Sequence, residues 1–174
     1  MVLVLVEHDR GALNELSLQA LTLGRDLAAA TGEPLEAVIA GDAGASLAAD
    51  AAAHGARTVH VASHEVLADF APAAWAQAVV DVAGRTRPTV VLAAASDRGA
   101  EVMAHVAAKL ELPLAANCVE VRPGDPFTLT RLRWGGRRSI AAITSLRRCW
   151  LSTASSWLGQ SDPSLRVAPI TERE

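Results

Sequence analysis

The feature that most constrains the fold is a regular alternation of short apolar runs with longer, helix-like segments. Continuous runs of Val, Ile, Leu and Ala are typical of strands that are buried on both faces of a sheet. Four such strands are predicted: Val2–Val6, Leu35–Ala40, Thr58–Ala62 and Thr89–Ala93. A helical segment follows each strand after a short connection. This order predicts a parallel sheet covered by helices on both faces, a Rossmann-like three-layer α/β fold.

Local signals predict where the helices begin and end. Asn14 is a suitable N-cap for a first helix that runs to about Thr31, because its side chain can accept from an unpaired N–H group. Gly32 is a common residue just after a helix. Pro72 suits the first turn of the third helix, and the fourth helix is predicted over about Arg98–Leu110.

After Pro113 the pattern changes to strands with no helix between them. Gly135–Gly136 predicts a tight hairpin turn, since both of its central residues need positive φ. We therefore expect an antiparallel C-terminal extension, one domain over residues 1–154, and an extended tail over residues 155–174. The four predicted strands are Ala115–Val121, Phe127–Trp134, Ser139–Thr144 and Cys149–Thr153.

Composition narrows the class of protein. A hydrophobic fraction of 51% with 20% charged residues predicts a folded globular protein. The net charge of −3 gives no electrostatic argument for binding nucleic acid or an anionic membrane. The apolar runs are shorter than the roughly 20 residues of a membrane-spanning helix. Cys118 and Cys149 form no CxxC pair, which favours buried thiols in a reducing, cytoplasmic location.

Ligands of parallel α/β sheets bind at the carboxyl ends of the strands. Three loops lie there: Glu7–Gly11, Gly41–Ser46 and Ala94–Gly99. None contains GxGxxG or GxxxxGK[ST], but two combine small residues with a helix start, whose N–H groups can hold a phosphate. The competing interpretation is a plain strand-to-helix turn. The candidate cofactor-binding residues are Gly41, Asp42, Ser96, Arg98 and Gly99.

No catalytic set and no metal site is predicted. His60 and His64 are predicted to straddle a strand end, and His105 belongs to the polar side of its helix. The sequence contains neither HExxH nor the GxSxG elbow of serine hydrolases.

The strongest charge feature is the segment 131–148, which contains six arginines. Arg131, Arg133 and Arg138 are predicted to place several charges on one face of a hairpin. Such a face suits an acidic partner or a nucleotide phosphate. A solvated edge, protected from aggregation by its charge, is the alternative.

Three segments together resemble the electron transfer flavoprotein alpha subunits. The sequence VLVLVEHDRGALNELSLQALTLGRDLA (2–28) resembles the opening of that family, with Val6-Glu7-His8-Asp9-Arg10-Gly11 matching its VEHxxG-like turn. Residues 90–121 resemble its fourth strand, small-residue loop and helix. Residues 131–143 lie where the family has an aromatic-Gly-Gly hairpin. The resemblance covers about residues 2–153, in the right order.

The resemblance implies a scaffold and partner-binding half of a flavin electron carrier, which passes electrons from a dehydrogenase to a downstream acceptor and is not itself an enzyme. A full-length alpha subunit is similar to this chain plus a domain with Gly- and Ser-rich phosphate turns and a G-Q-T-G segment. The 174 residues contain no such pattern. FAD is therefore expected mainly on another chain or domain, and AMP in the beta-type partner.

The implied partners are a beta-type subunit, a flavin-domain chain and a dehydrogenase. Their predicted contacts on this chain are His8, Asp9, Arg131, Arg133, Arg137 and Arg138. The alternative function is a small regulatory module that binds an adenine nucleotide through loops 41–46 and 96–99.

Overall fold

A computed structural model describes residues 1–9, 11–41, 44–124, 127–133, 137–143, 149–153 and 167–169. Its first half alternates strands and helices as the sequence predicts. The order is β1 (Val2–Val6), β2 (His8–Asp9), β3 (Ala12–Leu13), α1 (Glu15–Thr31), β4 (Leu35–Ala40), α2 (Gly44–Ala53), β5 (Thr58–Ala62), a 3₁₀ turn (Glu65–Leu67), α3 (Pro72–Thr86), β6 (Val90–Ala94) and α4 (Asp97–Leu110). The second half consists of β7 (Leu114–Arg122), β8 (Phe127–Arg133), β9 (Arg137–Ile143), β10 (Cys149–Thr153) and β11 (Val167–Pro169).

Nine of the described strands form one sheet in the order β11-β9-β8-β7-β10-β6-β1-β4-β5. β1 lies between β4 and β6 and pairs with both in parallel. β5 extends the parallel part beyond β4. β7, β8 and β9 pair antiparallel, so the α/β class and its antiparallel extension are both confirmed.

The position of β10 differs from what its sequence neighbours suggest. Its range matches the prediction, but it inserts between β6 and β7 and pairs with both in parallel. It belongs to the central sheet and not to the antiparallel meander. A strand's partners depend on the path of the whole chain, which a local apolar pattern does not encode.

The core has one layer on each face of the sheet. In β1, the side chains of Val2, Val4 and Val6 pack under α1 and α2. Those of Leu3 and Leu5 pack under α3 and α4. All five are 0% exposed, so the continuous apolar run serves both layers.

The helix ends follow the local signals closely. The Asn14 side chain accepts from the Leu16 N–H, and Gly32 ends α1 with a left-handed φ of 69°. α4 begins at Asp97, one residue before the predicted start, because the Ser96 side chain accepts from the Gly99 N–H. Among the described residues, no helix combines the length and apolarity required to cross a lipid bilayer.

The predicted turn at Gly135–Gly136 lies outside the described residues. So does most of the predicted tail; within it, Val167–Pro169 forms β11 and pairs in parallel with β9.

Candidate functional site

The sheet order reverses at the carboxyl ends of β1 and β6, the position at which an open α/β sheet has its crevice. The chain leaves β1 toward β4 on one side, whereas β6 lies on the other side. Such a reversal of strand order is the usual ligand position in an open α/β sheet, because the two connections diverge there. The loops predicted to carry function, 7–11 and 94–99, both border this crevice.

Glu7 lies inside the crevice and is only 2% exposed. Its backbone N–H donates to Ser17 Oγ at 2.9 Å, which ties the end of β1 to α1. The Ser96 hydroxyl lies 2.7 Å from each of its carboxylate oxygens. This contact joins residues that are 89 positions apart, so no local pattern announces it. Glu7 is the site residue missed by sequence reasoning.

Burial raises the pKa of the Glu7 carboxyl above its ordinary value, because a charge is costly to remove from water. The Ser96 hydrogen bond and the nearby Arg98 charge oppose that rise. The net direction is upward, so desolvation is the larger effect.

The start of α4 is packed tightly onto this carboxylate. The Gly99 N–H donates to Ser96 Oγ at 2.8 Å. A Cβ on Gly99 would lie 2.6 Å from Glu7 Oε1 and would also collide with the Ala94 carbonyl oxygen. Only glycine therefore fits at this position. The structure brings together Ser96 and Gly99, two of the predicted cofactor-binding residues. The Ser96 hydroxyl donates to Glu7, and the missing side chain of Gly99 leaves room for the Glu7 carboxylate.

The side chains of His8 and Glu7 contact different parts of the molecule. Its Nε2–H donates to the Ala40 carbonyl oxygen at 2.7 Å, and its ring stacks on Trp75 with 5.6 Å between centroids. Gly41 adjoins it with a φ of +102°, and a Cβ there would lie 2.9 Å from the Leu67 carbonyl oxygen. Gly41 thus permits a close approach of backbone to backbone. Asp9 is exposed beyond His8.

Arg98 is exposed, and its guanidinium lies 5.0 Å from the centroid of the Phe70 ring. Phe70 in turn contacts Trp75 edge-on, at 5.4 Å between centroids. Arg98 is therefore held over an aromatic surface beside the crevice by a cation–π contact. Asp42 lies outside the described residues.

The arginine-rich hairpin lies far along the sheet from this crevice. Arg131 is half-buried and its Nε–H donates to the Ala116 carbonyl oxygen at 2.8 Å. The register pairs Arg133 with Arg137, but it pairs Arg138 with Leu132. Since directly paired residues share a face, position 138 falls on the opposite face from positions 131 and 133.

No group of three or more His, Cys, Asp and Glu side chains suitable for a metal ion occurs in the described part of the chain. His60 Nε2 lies 2.7 Å from Glu36 Oε2, which forms a pair and not a cluster. A groove of about 760 Å³ between β5 and α3 is lined by residues such as His60, Val66 and Arg85. It contains none of the predicted site residues among those described.

Fold and site together define a Rossmann-like α/β domain with an antiparallel extension and a strand-end crevice that is filled by its own glutamate. The family model of the electron transfer flavoprotein domain matches residues 2–161. The chain belongs to this family.

Curated relatives agree with the family match. The chain is 29% identical to the electron transfer flavoprotein subunit alpha of Clostridium acetobutylicum over 156 positions, which cover 87% of the chain and 46% of the relative. It is 29% identical to the FixB protein of Azorhizobium caulinodans over 178 aligned positions, covering 99% of the chain and 46% of the relative. The alpha subunit of Mycobacterium tuberculosis is 34% identical over 71% of the chain and 38% of the relative.

The chain thus spans less than half the length of each of these relatives. The matches support an alpha-type subunit and do not favour the alternative of a small adenine-nucleotide-binding module.

Proposed function

We propose that this chain is the scaffold and partner-binding half of an alpha-type flavin electron carrier. The observation that carries the proposal is the family match over residues 2–161, which spans the strand–helix half and the antiparallel hairpins together. The alpha subunits of Clostridium acetobutylicum and Mycobacterium tuberculosis are matched over 46% and 38% of their length, which corresponds to one part of a larger subunit. The role is that of a carrier, without substrate turnover by this chain, in a cytoplasmic complex.

In the assembled complex, FAD accepts electrons from a dehydrogenase and passes them to a further acceptor. The flavin is held mainly by another chain or domain, and AMP is held in the beta-type partner. The crevice between β1 and β6 supports this assignment, because Glu7 already fills the space at the start of α4 where a cofactor phosphate would bind. The described residues around this crevice do not fit a flavin or nucleotide phosphate.

The beta-type subunit docks on the arginine-rich hairpin and on the strand end at half-buried His8 and exposed Asp9. Arg131 is held in place by the Ala116 carbonyl, so its position costs little further ordering on binding. The register pairs positions 133 and 137 in the ladder, and two arginines at paired positions favour an acidic partner surface.

The test is co-expression of the chain with its beta-type subunit and a flavin-domain chain, followed by native mass spectrometry and a visible absorption spectrum. A yellow complex that contains FAD and all chains is the expected result. Absence of association with the beta-type subunit at micromolar concentration would overturn the proposal.

A charge reversal locates the docking surface. Arg133→Glu combined with Arg137→Glu is expected to weaken association at least about tenfold, a loss of about 1.4 kcal/mol. Arg25→Glu combined with Arg57→Glu is the matched control, because it makes the same change in net charge and both arginines are exposed near β5 at the opposite edge of the sheet. Equal weakening by both variants would indicate a general charge effect and contradict the assigned surface.

A further inference from the structure

The start of α4 has the features with which α/β proteins bind phosphate. It follows the carboxyl end of β6, lies at the reversal of strand order, and begins a helix of 14 residues. Unpaired N–H groups and the positive end of the helix dipole attract an anion to such a position. In this chain, the anion that lies there is a side chain of the protein.

The Glu7 carboxylate makes contacts that suit a ligand oxygen. The Ser96 hydroxyl accepts the Gly99 N–H at 2.8 Å, which leaves its own proton for Glu7. That proton points to a carboxylate whose two oxygens both lie 2.7 Å from Ser96 Oγ. A chain of donors thus runs from the first turn of α4 through Ser96 to Glu7, and each bond polarises the next.

Space at the helix start is limited to this carboxylate. Glu7 is 2% exposed, and even a methyl group on Gly99 would lie 2.6 Å from its Oε1. A phosphate oxygen that bonded to Ser96 would have to displace Glu7, and it would also meet its negative charge. Both the lack of space and the negative charge of Glu7 therefore disfavour the binding of a phosphate.

From these contacts we propose that Glu7 is a specificity-determining residue: its carboxylate acts as a built-in anion at the start of α4 and closes the crevice between β1 and β6 to phosphate-bearing cofactors. This role differs from the predicted binding of a phosphate by Ser96 and Gly99: here the Ser96 hydroxyl donates to Glu7, and the Gly99 N–H donates to Ser96. It uses the same Glu7 contacts that support placing FAD on another chain in the proposed function, but its test needs only this chain, so its failure is distinguishable from a failure to associate with the beta-type subunit.

Chemical rescue tests the proposal directly. In Glu7→Ala the donors at the start of α4 lose their anion and a cavity of carboxylate size remains. We expect the urea midpoint of this variant to fall, and then to rise and level off as sodium formate is added, beyond the effect of sodium chloride at equal ionic strength. Inorganic phosphate and AMP are the second and third probes, and they distinguish a small anion from a nucleotide.

Three controls sharpen the result. The wild-type chain is expected to show no saturable response to formate, phosphate or AMP, because Glu7 fills the position. Glu7→Gln keeps the volume and is expected to stay unresponsive. Glu15→Ala removes an exposed glutamate from the first turn of α1 and is expected to behave like the wild type.

Two outcomes overturn the proposal: saturable binding of phosphate or AMP by the wild-type chain, or a formate response of Glu7→Ala that is no larger than that of Glu15→Ala. If Glu7→Ala does not fold alone, its refolding yield in formate is measured against sodium chloride. Recovery of the folded chain in formate alone supports the built-in anion, and failure to recover in formate contradicts it.

Discussion

Beyond the tight glycine at the start of α4, the two faces of the sheet are packed by different means. On the α1 and α2 face, missing side chains bring the helices close: a Cβ on Gly24 would lie 2.8 Å from Val4 Cγ2, and one on Gly44 would lie 2.7 Å from Val61 Cγ1. On the α3 and α4 face, bulky side chains such as Trp75 and Met103 fill the space between helix and sheet. Gly84 of α3 is exposed to solvent, so a Cβ there would have no neighbouring atom within 4 Å and serves as a reference without packing.

The difference in packing determines which substitution destabilises each face most. A position that is packed through glycine tolerates no added atom, whereas a position that is filled by a large side chain tolerates no lost one. Substitutions at Trp75 and Gly24 test this contrast.

Removal of bulk from the α3 and α4 face is expected to cost most. Trp75 is 3% exposed and contacts both Phe70 and His8. Trp75→Ala should therefore lower the free energy of unfolding by about 3–5 kcal/mol in urea denaturation. Trp75→Phe is the control, since the indole Nε1 has no hydrogen-bond partner among the described residues and most of the ring is kept. Similar losses for the two variants would show that bulk is not what matters at this position.

Addition of one methyl group to the opposite face is expected to have a smaller effect. At Gly24 the higher helix propensity of alanine favours Gly24→Ala by roughly 0.5–1 kcal/mol, but overpacking against stiff Val4 costs about 1–3 kcal/mol. A net loss of stability follows. Gly84→Ala, in the open position on α3, should instead gain roughly 0.5–1 kcal/mol. The comparison fails if thermal denaturation gives both variants the same sign.

The smallest expected effect on stability concerns Glu7. Its side chain lies on the same face of the sheet as those of Leu3 and Leu5, toward α4. Its raised pKa means that the folded state binds this proton more tightly than the unfolded state. Protonation of Glu7 therefore stabilises the folded chain at pH values below 4.5, the ordinary pKa of this group in the unfolded chain. This contribution is lost as the pH rises through the higher pKa of the folded state. Glu7→Gln removes this dependence, so its stability relative to the wild type should increase as pH is raised. Urea titrations over that range measure it, with exposed Glu15→Gln as control; a difference that decreases with pH would contradict the raised pKa.

Features that depend on neighbouring residues are predictable from this sequence. The Asn14 cap, the Gly32 stop and the ranges of β1 and β4 follow from short-range chemistry, and the structure confirms them. Buried Trp75 is likewise expected from the spacing of apolar residues on α3. Each of these features depends on residues that lie within one or two helical turns of one another.

Features that depend on distant residues are not predictable in this way. Burial of Glu7 requires Ser96, which is 89 residues away, and a charged residue at a strand end ordinarily faces water. The contact of His8 with Ala40 also crosses between strands. The assignment of Arg131, Arg133, Arg137 and Arg138 to a partner surface is a prediction that the co-expression experiment addresses.

The insertion of β10 between β6 and β7 has a consequence for biosynthesis. The connection through α4 joins β6 to β7 and leaves a gap one strand wide between them. This gap is filled by residues 149–153, which leave the ribosome after β7, β8 and β9. Until then, two inner strands expose unpaired backbone edges to any other nascent chain. The sheet is completed from its middle, so the yield of folded protein in the cell depends on how long that opening stays unfilled and on whether a chaperone shields it.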